Sequence, residues 1–76
     1  MRYPDTDSFL KNLGKKIRAI RNDHGLSQRE LGLRAEMEKS EIQRLERGTN
    51  VTFKTIIKIA NALDVDIETL ITFTDL

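Results

Sequence analysis

The chain has 76 residues, enough for one small domain that buries about 60% of the surface its unfolded chain exposes. It contains no cysteine, which excludes a disulfide framework and a thiolate metal site. The net charge of +1 is divided unevenly: residues 1–10 carry −1, residues 11–58 carry +6 and residues 59–76 carry −4, which indicates either a basic surface for anions with an acidic end or a chance clustering on a solvated surface.

The first predicted element is an amphipathic helix at about residues 7–23, where apolar side chains recur every three or four positions. Thr6 or Asp7 is expected to cap its start, because a side-chain oxygen there accepts a hydrogen bond from the first free backbone amides. Gly25 is expected to end it in the left-handed conformation. His24, the only histidine, is expected to be a cap or a surface residue.

Two further helices are predicted at about residues 27–34 and 38–47, the later one ending at Gly48. Ser27 and Glu30 match a capping box, in which each side chain accepts a hydrogen bond from the backbone amide of the other residue. Two helices joined by a turn of this length have the geometry of a helix-turn-helix. Five residues of the pair are expected to face one interior: Leu31, Ala35, Met37, Ile42 and Leu45.

The fourth and fifth helices are predicted at about residues 52–63 and 66–73, with Asp66 as the N-cap of the fifth. No strand pattern competes, so the expected fold is all-α with five helices at 7–73, flanked by an arm at 1–6 and a tail at 74–76. The residues of the fourth helix expected to face the core are Phe53, Ile56, Ile57, Ala60 and Leu63.

Three motifs identify a family by their order and spacing: LSQRELG at 26–32, IQRLERG at 42–48 and IIKIANALDV at 56–65. Together they resemble the phage repressor and Cro-like (XRE-type) helix-turn-helix family over residues 17–70. The resemblance implies a compact five-helix domain that binds double-stranded DNA as a transcriptional regulator, with a repressor acting by operator occupancy as the expected form. It implies no cofactor.

The resemblance also assigns roles to individual positions. Gln28 opens the second helix, where the family binds a phosphate, and Gly32 stands where a small residue lets the helices cross closely. The positions that read bases correspond to Lys39, Ser40, Gln43 and Arg44. Together with Gln28, the positions that bind phosphates correspond to Arg47, Asn50, Thr52 and Lys54. The buried ion pair of the family corresponds to Arg21 and Glu46.

The chain departs from the family pattern by placing acidic residues around the third helix. Glu36 occupies a turn position that usually holds glycine, and a positive φ there is expected to cost about 1 kcal/mol. Glu38 and Glu41 lie in the first helical turn, where a carboxylate favours the helix dipole by about 0.3–1 kcal/mol. Either carboxylate can instead accept a hydrogen bond from cytosine N4 in the major groove.

The expected functional unit is a homodimer, because two copies read half-sites about 34 Å apart and combine their contact energies. Ile67 and Leu70 are expected to cover the domain's own core. Candidate dimer contacts are then Ile71, Phe73 and Leu76.

The alternative function is a protein-interaction module, such as an antitoxin-like partner protein whose acidic end binds another protein. An enzyme is not expected, because no metal-ligand spacing and no glycine-rich phosphate loop is present in the sequence. Without an apolar export signal or a long apolar run, the chain is expected to be cytoplasmic, with no membrane partner.

Overall fold

Five α-helices make up most of residues 5–73, the part of the chain that the computed structural model describes. The helices are α1 (Thr6–Asp23), α2 (Gln28–Ala35), α3 (Lys39–Arg47), α4 (Phe53–Leu63) and α5 (Ile67–Ile71). Residues 5–73 contain no strand. The predicted all-α, five-helix fold is therefore confirmed, while most of the predicted arm and the whole tail with Leu76 lie outside the described residues.

Helix α1 is capped by Asp5, and the prediction of Thr6 or Asp7 was wrong. The Asp5 backbone is extended, with φ −168°, and its carboxylate accepts a hydrogen bond from the Ser8 amide at 2.7 Å. That hydrogen bond lowers the pKa of Asp5. The helix therefore begins one residue earlier than predicted, and Thr6 and Asp7 fall in its first turn.

The turns on either side of α2 each hold a residue with positive φ, as do Gly48 after α3 and Asp64 after α4. Gly25 follows α1 with φ 68°, as predicted. Glu36 ends α2 with φ 58°, so the turn keeps the left-handed backbone although it lacks the usual glycine. Between these turns, Ser27 and Glu30 form the predicted capping box, with N···O distances of 2.8 and 3.0 Å, and the hydrogen bond from the Ser27 amide lowers the pKa of Glu30.

The core lies among all five helices. Its buried apolar residues are Leu10, Leu13, Ile17, Leu26, Leu31, Ala35, Ile42, Leu45, Ile56, Ile59, Ala60, Leu63 and Leu70. Met37, expected inside, is only partly buried and packs against this core.

The predicted inner face of α4 was partly wrong. Phe53 is 63% exposed and Ile57 is 44% exposed, whereas Ile59, which was not predicted, is completely buried. The buried face consists of Ile56, Ile59, Ala60 and Leu63, which recur at three- and four-residue steps. Phe53 and Ile57 lie beside this face and are therefore exposed.

Two glycines permit close backbone packing around α3. A Cβ atom at Gly14 of α1 would lie 2.6 Å from the carbonyl oxygens of both Leu45 and Glu46. A Cβ atom at Gly32 of α2 would lie 2.6 Å from the carbonyl oxygen of Met37, so the small residue of α2 makes room for the turn rather than for α3 itself. The absence of both side chains therefore lets α1 approach the end of α3 and lets α2 approach the turn before it.

Candidate nucleic-acid interface

A bidentate ion pair joins α1 to α3 beneath the candidate site. Arg21 donates from Nε to Glu46 Oε2 at 2.6 Å and from Nη2 to Oε1 at 3.0 Å. The two side chains are only 10% and 5% exposed. The third guanidinium nitrogen, Nη1, donates to the Leu26 carbonyl at 2.8 Å. The pair thus ties the end of α1 to the chain just before α2 and to α3, in the positions that the family resemblance implied.

The same carboxylate holds Gln28 at the start of α2. Gln28 donates from Nε2 to Glu46 Oε1 at 3.2 Å, so this oxygen accepts hydrogen bonds from both Gln28 and Arg21. A glutamine amide nitrogen carries two hydrogens, and only one of them is used in this bond. The second N–H can donate to an acceptor on a bound molecule. The hydrogen bond to Glu46 fixes the orientation of the amide.

Two clefts meet at Gln28. The first is lined by Arg18, Gln28, Gln43, Glu46 and Arg47. The second is lined by Arg18, Arg21, Ser27, Gln28, Arg29 and Lys39. Two of the five residues of the first lining and four of the six of the second are cationic. The single carboxylate, Glu46, is already engaged by Arg21. The positive charge of the clefts favours binding of an anion next to the second N–H of Gln28.

The predicted base-reading residues occupy different sides of α3. Lys39, Ser40 and Arg44 are exposed, and Gln43 is half-buried. Gln43 lies in the cleft with Gln28, whereas Arg44 lines a groove on the other side together with Asn50, at the loop before α4. The polar side chains on the exposed surface of α3 therefore lie between the cleft at Gln28 and the groove that Arg44 and Asn50 line.

The acidic residues of this region have separate environments. The Glu41 carboxylate accepts a hydrogen bond from the Glu38 amide at 2.8 Å and so closes the first turn of α3. Glu41 also lines the groove beside Arg44. Glu38 is the exposed N-cap residue and Glu36 is the exposed residue with positive φ. Glu41 thus has the structural role expected at a helix start, and Glu46 has the ion pair.

The predicted phosphate contacts after α3 are not equally available. Arg47, Asn50 and Lys54 are exposed. The Thr52 hydroxyl accepts a hydrogen bond from the Thr55 amide at 3.2 Å and donates to Thr55 Oγ1 at 3.1 Å. Its hydrogen is therefore used within the N-cap of α4, and binding a phosphate requires it to leave Thr55.

Two cleft residues were not singled out from the sequence. Arg18 and Arg29 line the clefts at Gln28. Arg18 lies outside the three family motifs, and Arg29 lies within LSQRELG without a role assigned by the resemblance. The available signal was the spacing of Arg18 and Arg21, because residues three apart lie on the same side of a helix.

Residues 5–73 contain no group of three or more His, Cys, Asp or Glu side chains that could hold a metal ion. Within the same range, no helix is long and apolar enough to cross a membrane.

A family model described as helix-turn-helix (HTH_3) matches residues 17–70. The chain is similar to the restriction-modification controller protein C.AhdI from Aeromonas hydrophila, at 34% identity and a TM-score of 0.80, covering 83% of this chain and 97% of that one. It is similar to SinR, the master regulator for biofilm formation, whose structure was solved in complex with DNA. Here the identity is 32% and the TM-score 0.74, covering 79% of this chain and 98% of that one. The clp gene regulator ClgR from C. glutamicum is 25% identical with a TM-score of 0.80, covering 83% and 82% of the respective chains. No match was found among curated proteins.

Proposed function

The chain belongs to the helix-turn-helix family of DNA-binding transcriptional regulators, and from that premise we propose that it represses transcription by occupying a specific operator in double-stranded DNA. The observation that carries this proposal is the Gln28 amide, held by Glu46 in a cationic cleft beside α3. A fixed N–H donor among arginines binds a backbone phosphate and sets the register of the neighbouring helix. In the cytoplasm, occupancy of an operator excludes other proteins that need the same DNA.

In this proposal α3 enters the major groove and its exposed residues read base edges. Arg44 has the fork geometry that binds O6 and N7 of guanine, and Lys39 can bind the same atoms. Ser40 and Gln43 supply neutral donors and acceptors. The backbone is held by Gln28, Arg47, Asn50 and Lys54, with Thr52 contributing only after its hydroxyl leaves Thr55.

We also propose that the regulator acts as a homodimer, because one α3 offers few base contacts and two copies on a palindromic site combine theirs. Phe53 and Ile57, exposed on successive turns of α4, are the proposed contact surface. Both residues belong to α4, so a two-fold contact between them uses no residue of α3.

Two of the three earlier candidates near the carboxyl terminus, Ile71 and Phe73, pack within the domain, and Leu76 lies outside the described residues. Ile71 and Phe73 are partly buried and pack against the core, and the Phe73 ring lies edge-on to Phe9, with ring centroids 5.4 Å apart. This contact favours α4 over the carboxyl-terminal surface as the place where the second copy binds.

The deciding experiment is selection of bound fragments from genomic DNA, followed by affinity measurement on a selected fragment at several salt concentrations. Each neutralised phosphate contributes about −0.9 to the slope of log affinity against log salt. Of the four backbone contacts only Arg47 and Lys54 carry a positive charge, so they predict a slope of about −1.8 for each bound copy of the chain. A protein-interaction module, the alternative with an antitoxin-like role for the acidic end, forms no such salt-dependent complex, and that result would reject the proposed function.

A further inference from the structure

Arg18 is the only residue of α1 that lines both clefts at Gln28. Its side chain is exposed, while the preceding Ile17 is buried and anchors this turn of the helix in the core. Arg21 lies one turn further along and is fixed by its ion pair with Glu46. The backbone that carries Arg18 is therefore held on both sides, although α1 lies outside the helix-turn-helix motif.

The charges around Arg18 favour an anion. Arg29 and Lys39 line one of the two clefts and Arg47 lines the other. Glu46 supplies the only carboxylate of these linings, and Arg21 donates to both of its oxygens. The cationic side chains consequently have no free carboxylate to neutralise them within the clefts.

The start of α2 adds to this positive field. Gln28 is the first residue of the eight-residue α2, so the positive end of the helix dipole lies beside the second cleft. Gln28 also lines this cleft, and its amide nitrogen has a second N–H that the bond to Glu46 does not use. An arginine fork, a fixed amide donor and a helix start are three features that suit a phosphate group.

We propose that Arg18 is an additional phosphate-binding residue, which joins Gln28 on the DNA backbone and extends the DNA footprint onto α1. The inference rests on the proposed function, because it deepens the same DNA interface. It assigns to Arg18 a contact with a backbone phosphate and no part in reading bases. Removing its side chain is therefore expected to weaken binding without changing the preferred sequence.

The first test compares Arg18→Ala with Arg34→Ala on the selected operator and on random DNA. Arg34 is exposed on α2, lies near Glu30 and does not line the two clefts, so its substitution removes the same charge away from the site. Arg18→Ala is expected to make the salt slope shallower by about 0.9 for each bound copy of the chain and to weaken both DNAs equally. Arg18→Lys is expected to keep the slope, and both alanine variants are expected to melt like the parent chain, because their side chains are exposed.

The second test locates the contact by replacing operator phosphates, one at a time, with neutral methylphosphonates. One position is expected to weaken the parent chain and leave Arg18→Ala unaffected. The inference is overturned if Arg18→Ala keeps the parental slope, if Arg34→Ala loses as much slope, or if no single phosphate shows this coupling. A parent chain without salt-dependent DNA binding would overturn the proposed function together with this inference, so the two failures are distinguishable.

Discussion

Gln28 donates a hydrogen bond to Glu46 across 3.2 Å, and this contact joins the surface of the domain to its buried ion pair. The Gln28 amide, which we propose binds a phosphate, is thus oriented by the Glu46 carboxylate. That carboxylate is itself held by the buried Arg21. A change in the buried pair can therefore alter the Gln28 amide through Glu46 Oε1, which accepts hydrogen bonds from both Arg21 and Gln28.

The first prediction concerns the stability of that pair. Glu46→Gln removes the negative charge and leaves Arg21 buried without a counter-ion, so the free energy of unfolding is expected to fall by about 3–5 kcal/mol. Adding Arg21→Met removes the uncompensated charge and is expected to recover part of the loss. Urea unfolding of the parent, both single variants and the double variant measures the coupling, and strictly additive losses would contradict it.

The second prediction separates base reading from phosphate binding. Arg44→Ala is expected to cost about 1–3 kcal/mol on the preferred operator and to relax the preference at one base pair. Lys54→Ala is the matched control, because it is expected to weaken all sequences alike and to reduce the salt slope by about 0.9. Binding titrations measure the affinity of each variant for operator and for random DNA. An equal loss of affinity on both DNAs for Arg44→Ala would show that Arg44 does not read bases.

The third prediction concerns the turn before α3. Glu36 has φ 58°, a region that glycine occupies without steric cost, so Glu36→Gly is expected to raise the free energy of unfolding by about 1 kcal/mol. Glu38→Gly is the control, since Glu38 has φ −74° and gains nothing from glycine. Thermal or urea melts measure both variants. A loss of stability in Glu36→Gly would mean that the Glu36 side chain stabilises the turn in another way.

The fourth prediction identifies the dimer surface. Phe53→Asp is expected to abolish dimerisation while leaving the single chain folded, because the ring is 63% exposed and outside the core. Phe73→Asp is expected to lower the melting temperature, since it removes the contact with Phe9. Sedimentation at micromolar concentration, with and without palindromic DNA, measures the assembly. A folded Phe73→Asp monomer beside an unchanged Phe53→Asp dimer would move the interface to the carboxyl-terminal end, and a parent chain that is monomeric even on palindromic DNA would reject the homodimer.

Features set by neighbouring residues were predictable from the sequence. The capping box of Ser27 and Glu30 needs only a spacing of three and suitable side chains, and it forms as predicted. The family pattern marked position 36 as a site of positive φ, and the sequence left open whether Glu36 keeps that conformation, which the structure shows with φ 58°. The five-helix architecture followed from apolar spacing and helix-end signals.

Features set by packing between helices were not predictable in the same way. On α4 several apolar residues compete for the inner face, and the packing places Ile59 inside while Phe53 stays outside. The bond between Gln28 and Glu46 spans 18 positions and depends on how α2 crosses α3. The position of Arg18 in the clefts likewise depends on how α1 packs against the other helices.

The close approach at Gly14 determines how freely α3 can be exchanged between proteins. Its neighbours there are the backbone carbonyls of Leu45 and Glu46, which every sequence of α3 would supply. The outward residues of α3 can therefore be transplanted from another regulator without altering this contact, as long as position 14 carries no side chain. In such hybrids the packing of α3 on α1 would keep the orientation of α3, and the grafted residues would determine which operator sequence is bound. The chain therefore offers a scaffold in which the bound sequence can be changed while the orientation of α3 is kept.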